Sequence, residues 1–432
     1  MKATAMVVGT IIGASIFVQP SVITGQVNST TAVFMVWAIC GVLTLFGALV
    51  TAELASAFPK TGGVYVFLKQ EFGPAPGFLW GWAMFWSMHS GIIAAIAVIF
   101  ARYVDHFVPL SDAGMRGVAI GAILALSWIN YLGVKQGSVV QTAFTIVKVF
   151  AILVIIVLGF ALGPRSAVPA AATSALRLGD VPAREFALAL VAGLFAFGGW
   201  HMVTYAAGET LRPEKTIPRA LLLGTLIVTA SYIALNAVYF HVLPLQTVVS
   251  STRVAADAAA AVMGASGAAA VSGLVIFSTF GALSGIILAG PRVYYSMARD
   301  GLLFRWLGES HPNYRTPHRA IILQAVWSSV LVATGTYRAL FTRVIYTEWI
   351  FFGLMALGLF LLRRRPGYSP SYRVWGYPVV PAIFAMSSAV IVLNQIVSDP
   401  IESASGLLLV AVGLPVYYIW RAKHPTLGEA DQ

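Results

Sequence analysis

Apolar residues run through this chain in long unbroken blocks, with the polar residues gathered between them. A block of about 20 apolar residues, coiled as a helix, matches the thickness of a bilayer's hydrocarbon core. Twelve blocks are read as spans, at about 4–26, 32–58, 77–106, 115–132, 134–162, 184–209, 217–243, 268–297, 320–336, 344–362, 378–397 and 403–418. The segment 59–74 mixes charges with aromatics and is placed in the membrane plane. The stretch 246–264 is read as a short external helix.

Two blocks are interrupted from within. The first contains Gly13-Ala14-Ser15, and the sixth contains Phe195-Ala196-Phe197-Gly198-Gly199-Trp200. Glycine inside a helix is disfavoured by about 1 kcal/mol relative to alanine, so these positions favour local unwinding. In hydrocarbon, unwound backbone survives only against protein or a watery cavity, because unpaired N–H and C=O groups are otherwise too costly. Small residues also serve close helix packing. However, two interrupted spans, each opening a group of five, point to an inverted-repeat transporter with its site between the breaks. The chain therefore divides into a first five-helix repeat (1–162), an external loop (163–183), a second, inverted repeat (184–362), and two further helices with a cytoplasmic tail (363–432).

Composition agrees with that pattern. Of 432 residues, 59% are hydrophobic and 10% charged, and mean hydropathy is +0.84; soluble domains carry about 25% charged residues. The formal charge of +11 raises the question of nucleic acid. With the N-terminus cytoplasmic, about eighteen of the 27 Lys and Arg fall in cytoplasmic segments, as the positive-inside rule requires, so no nucleic-acid partner is called for. The first block lacks a basic n-region and an A-x-A cleavage site, and is expected to be retained as a span. The lone Cys40 excludes an internal disulfide.

Nothing in the sequence suggests catalysis. There is no H-E-x-x-H, no G-x-S-x-G and no P-loop, so the chain is read as no enzyme and as not driven by ATP. No cofactor or metal is called for.

Several motifs together resemble a known family. Gly9 to Phe17 (GTIIGASIF) and Phe195 to Trp200 (FAFGGW) are joined by Ala52-Glu53-Leu54 with Pro59-Lys60-Thr61-Gly62-Gly63, by Gly208-Glu209 with Ile217-Pro218-Arg219-Ala220, and by Gly290-Pro291-Arg292 with Met297-Ala298-Arg299-Asp300-Gly301. In this order, they resemble the amino acid-polyamine-organocation superfamily, and in particular its L-type amino acid transporter branch. The resemblance implies an all-α integral membrane protein of the leucine-transporter type, with twelve helices, spans 1 and 6 broken, in the cell (plasma or inner) membrane with both termini cytoplasmic. It implies secondary transport of amino acids, most simply neutral L-amino acids by sodium-independent exchange or facilitated movement. Proton-coupled uptake of amino acids or polyamines, and a membrane sensor that binds without transporting, are the alternatives. The partners are thus the amino acid and the lipid bilayer, with protons in the coupled alternative; an accessory subunit is left open.

The resemblance also implies a site at the two breaks. The N–H end of the half-helix after Gly13 suits a carboxylate, and the C=O end near Phe197 suits an ammonium. The expected substrate-binding residues are Ile11, Gly13, Ala14, Ser15, Ile16, Phe195, Ala196, Phe197 and Gly198, with Phe195 covering the cargo. Trp200, His201 and Ser284 are placed at the gate or behind the site. Lys148, deep in the fifth span, is expected to take the place of a coupling sodium ion. The chain departs from the family at Ser15, where relatives often have glycine, and at Ser284-Gly285, where many have Asn-Gly; Ser15 is expected to favour small cargo.

Other ionisable residues within spans are functional candidates by default. Glu53 and Glu209 are expected to pair with loop Arg or Lys. Glu348, beside Trp349, is placed near the outer end of the tenth span, where titration in a proton pathway is one reading and solvation by interfacial water the simpler one. His89 has no evident partner in the sequence.

Overall fold

A computed structural model describes residues 2–13, 15–163, 180–335 and 337–423, and among these every regular element is helical. The first apolar block is split. α1 (Lys2–Ile11) ends before Gly13, a 3-10 turn follows at Ser15–Phe17, and α2 (Gln19–Val27) begins with Pro20 in its first turn, where the missing N–H would have had no partner anyway. The axis turns by 58° between Ala3–Phe17 and Gln19–Val27.

α3 (Thr30–Ala57) is unbroken for 28 residues, about 42 Å of helix. Its start is set by Ser29, whose hydroxyl accepts from the Ala32 N–H. α4 (Val64–Phe72) lies between two glycines of positive φ, Gly63 and Gly73. α5 (Pro74–Ala83) and α6 (His89–Val104) are joined through a π-helical turn at Met84–Met88 into one 31-residue span. α7 (Asp112–Leu132) and α8 (Val134–Leu162) follow. α9 (Ala183–Ala196) breaks off at Phe197 and resumes as a 3-10 stretch, Trp200–Glu209.

α10 (Pro213–Val242) leads through α11 (Leu245–Ser250) to α12 (Val254–Ala289), which kinks at Gly264. The external helix read over 246–264 is thus α11 plus the first turns of α12, and the eighth span starts after the kink. α13 (Pro291–Arg299) continues beyond it. α14 (His318–Thr334), α15 (Tyr337–Leu362), α16 (Val379–Ser398) and α17 (Pro400–Lys423) complete the order.

Among the described residues, nine helical runs are long and apolar enough to cross a bilayer, ten with α1–α2 taken as one bent span. α14, at 17 residues, and the apolar stretch Tyr346–Leu362 of α15 are shorter. The chain is a multi-pass membrane protein. Phe150, Leu153 and Val157 of α8 are exposed, an apolar outer face that only lipid would cover without penalty.

α10 packs along α3, and α12 along α8 and α6, around the split helices. Close approach at the centre depends on Gly47, where a Cβ would stand 2.7 Å from Phe384 and 3.0 Å from Trp200.

Candidate functional site

The two breaks lie against each other. Gly199 has φ +97°, and a Cβ there would stand 3.0 Å from the Thr10 carbonyl oxygen; only glycine accepts both the backbone and the approach. The Thr10 hydroxyl in turn lies 3.1 Å from the Gly199 carbonyl oxygen and 2.8 Å from that of Met6.

Unwinding α1 frees carbonyls that side chains from other helices then satisfy. Lys148, on α8 and 1% exposed, donates from Nζ to the carbonyls of Gly9 at 2.9 Å and Ile12 at 2.6 Å. The Tyr232 hydroxyl of α10 lies 3.0 Å from the carbonyl oxygens of both Ile11 and Ala196. It has one hydrogen and donates to one of them at a time. The donor side of the break is different: among the described residues no hydrogen bond engages the N–H of Gly13, Ser15 or Ile16. Such N–H groups at a helix start suit an anion.

Between the breaks is a narrow cleft with a cavity volume of about 30 Å³. Of the residues proposed from sequence, Ile11, Gly13, Ser15, Phe195, Gly198 and Trp200 line it. Ile16, Ala196 and Phe197 are buried beside it rather than in its wall; Phe197 packs on Trp37 and Tyr232. Ala14 lies outside the described residues. Ser284 is buried with no hydrogen-bond partner for its hydroxyl among the described residues. His201 stands behind the wall among Trp80, Trp200, Tyr205 and Phe352, and neither ring nitrogen has a partner there.

The rest of the wall was not placed at the site from sequence: Thr10, Thr44, Ile92, Ile96, Leu194, Gly199, Met202, Ile286, Trp349, Phe352 and Glu348. Thr10, Leu194, Gly199 and Met202 belong to the two broken helices; the others come from helices outside them, where an ordinary apolar run gives no signal. Glu348 requires a correction. It is not in interfacial water but 6% exposed in the cavity wall. α15 begins at Tyr337, not near 344, so Glu348 lies eleven residues into the helix, about 16 Å from its start.

His89, Glu53 and Glu209, the other ionisable residues read as candidates within spans, find partners. His89 Nε2 lies 2.8 Å from the Ile286 carbonyl oxygen. Arg363 donates to both carboxylate oxygens of Glu53, at 2.9 and 2.5 Å, and the Val374 N–H also donates to that carboxylate. Arg292 donates to Glu209 through Nε and Nη2, at 2.8 and 2.9 Å. Lys69 and the Tyr65 hydroxyl converge on Asp300 at 3.0 and 2.6 Å. These contacts tie α3, α4 and the 3-10 stretch Trp200–Glu209 to α13 and to the segment after α15.

Broken helices around a small enclosed cleft, in a multi-pass helical protein, define a membrane permease rather than an enzyme. Comparison with known proteins agrees: residues 1–417 match the amino acid permease family, and the chain belongs to that family. It is 33% identical over 420 residues to the serine/threonine exchanger SteT of Bacillus subtilis, covering 96% of this chain and 94% of that one. It is 30% identical to the human b(0,+)-type amino acid transporter 1, covering 97% and 87%, and 29% identical to the human cystine/glutamate transporter, covering 97% and 84%. These relatives are amino acid transporters of the amino acid-polyamine-organocation superfamily, and L-type small subunits are among the similar proteins.

Proposed function

We propose that the chain is a secondary transporter of amino acids that carries small neutral L-amino acids by sodium-independent exchange or facilitated movement. The relatives' shared activity supports amino acids as the class. The cargo carboxylate meets the N–H groups of Gly13, Ser15 and Ile16, its ammonium lies at the carbonyl end of α9, and Phe195 closes over it. The twelve spans form two inverted repeats, 1–162 and 184–362, joined by 163–183 and followed by 363–432. The protein sits in the cell membrane with both termini cytoplasmic: Lys60, Lys69, Arg212 and Arg363 to Arg365 all belong to segments that the charge bias places inside.

The observation that carries this reading is the Lys148 ammonium bonded to two carbonyls across the first break. A fixed cation in that position holds the unwound backbone without a bound ion. Removing it strands those carbonyls and costs about 3 kcal/mol or more, on the order of 100-fold in activity. In proteoliposomes, counterflow of labelled alanine or serine is expected without sodium and without a pH gradient. Lys148→Ala is expected to lose about 100-fold of that rate while still inserting and eluting as the wild type does. Sodium-stimulated uptake by the wild type, or full activity of Lys148→Ala, overturns the reading; ligand binding without counterflow supports a sensor instead.

A further inference from the structure

Among the described residues the buried carboxylates are Glu53, Glu71 and Glu348. Glu53 and Glu71 each have an arginine close by, Arg363 and Arg365. Glu348 does not: among the described residues no hydrogen bond or ion pair reaches it, although it is buried and faces the cavity. Its companions in the wall are the hydroxyls of Thr10, Ser15 and Thr44 and otherwise apolar or aromatic groups, chiefly Ile92, Trp349 and Phe352.

Among the described residues no charge from a neighbouring element balances it. α16 and the π-helical turn, both packed on α15, carry no titratable side chain. α3 and α4 bring Glu53, Tyr65, Lys69 and Glu71 to the end where Arg363 lies. α9 carries Arg184 and Glu185 at its start; α17 carries Glu402 in its first turn, and its Tyr417, Tyr418, Arg421 and Lys423 lie toward its far end. α6 has Arg102 and Tyr103 at its outer end and His89 held on the Ile286 carbonyl. The 3-10 stretch Trp200–Glu209 contributes His201 and Tyr205, packed on each other, and Glu209, already paired. Lys148 is not in the wall and is occupied by the carbonyls of Gly9 and Ile12.

A carboxylate closed into such a cavity with only a zwitterion for company would remain an uncompensated buried charge. The zwitterion's own ammonium and carboxylate are already assigned to the helix ends. We propose that Glu348 makes this cavity a site for one positive charge beyond the zwitterion's own, filled either by the second ammonium of a dibasic amino acid or by a proton that travels with a neutral one. This rests on the transport reading above. With neutral cargo, Glu348 takes a proton from water on the side where the cavity is open and returns it to water on the other; with dibasic cargo no proton moves.

The test uses the full chain in proteoliposomes. Uptake of labelled alanine and of labelled ornithine is measured between pH 5.5 and 8, beside Glu348→Gln and Glu348→Asp. For the wild type, alanine uptake should rise on acidifying the outside, and ornithine should compete with it more strongly at pH 8 than at pH 5.5. In Glu348→Gln, alanine uptake should persist but become flat with pH, and competition by ornithine should weaken by about tenfold or more. Glu348→Asp should keep both properties in weaker form. The same pH profile and the same ornithine competition in Glu348→Gln as in the wild type overturn this proposal and leave the transport reading standing. If the wild type moves and binds no amino acid, both fall. If Glu348→Gln is inactive, isothermal binding of ornithine and alanine to purified wild type decides: equal, pH-independent affinities overturn the proposal.

Discussion

Ser15 is 5% exposed in the cavity wall, one residue past the unwound turn, and its hydroxymethyl group takes space that glycine would leave open. Ser15→Gly should therefore admit larger cargo. One methylene's worth of room is about 1–3 kcal/mol, so the ratio of phenylalanine to alanine uptake should rise about tenfold; an unchanged ratio removes the size argument. At this scale the sequence shows what is out of place in a membrane. Glycine pairs and a mid-span lysine violate the local rule, so Gly13, Gly198 and Lys148 stand out at once. Ile92, Thr44 and Phe352 violate nothing, and only the folded arrangement brings them to one cavity. Tyr232 was missed for the same reason, since a tyrosine in an apolar run is common.

Among the elements, α4 holds the clearest internal conflict. Glu71 is almost fully buried, both its oxygens lack a hydrogen-bond partner among the described residues, and they face Gly358 of α15. Burial pushes its carboxyl well above the usual carboxylate range, and Arg365, bound nearby to the carbonyls of Gln70 and Glu71 at 2.7 and 2.6 Å, opposes that shift. A carboxyl raised in the folded state contributes its stability below the ordinary carboxylate pKa and loses it as pH rises toward the folded value. Glu71→Gln, which cannot ionise, should raise the melting temperature in detergent at pH 8 by more than at pH 5; equal changes would show that Glu71 does not titrate there. The spans themselves were legible, because length and apolar content define them. Their ends were not. The polar start of α15, with Arg338 and Arg343, looked like loop and hid the depth of Glu348, and the kink at Gly264 falls where small residues give no direction.

Across the whole molecule, the paired charges Glu53–Arg363, Glu209–Arg292 and Lys69–Asp300 gather in segments that the charge bias places on the cytoplasmic side, and we propose that they hold that side closed. Glu209→Gln should loosen it. With Cys40 replaced by alanine and a reporter cysteine at Thr44, labelling from the cytoplasmic face should increase several-fold over the same protein with Glu209 intact; equal labelling would show that the pair does not hold the closure. The order of spans and the two breaks could be read from the chain, but these pairs join residues some 80 to 310 positions apart, and no local pattern announces them. Tyr232 carries the matter further. Its single hydrogen is shared between Ile11, on one broken helix, and Ala196, on the other. If the halves part, the phenol can follow only one of them, and the abandoned carbonyl must find another donor. We propose that it acts as a toggle: the broken helix it leaves behind is the one that most needs a passenger's ammonium, so an empty carrier is discouraged from turning over and swapping one cargo for another becomes the easier course.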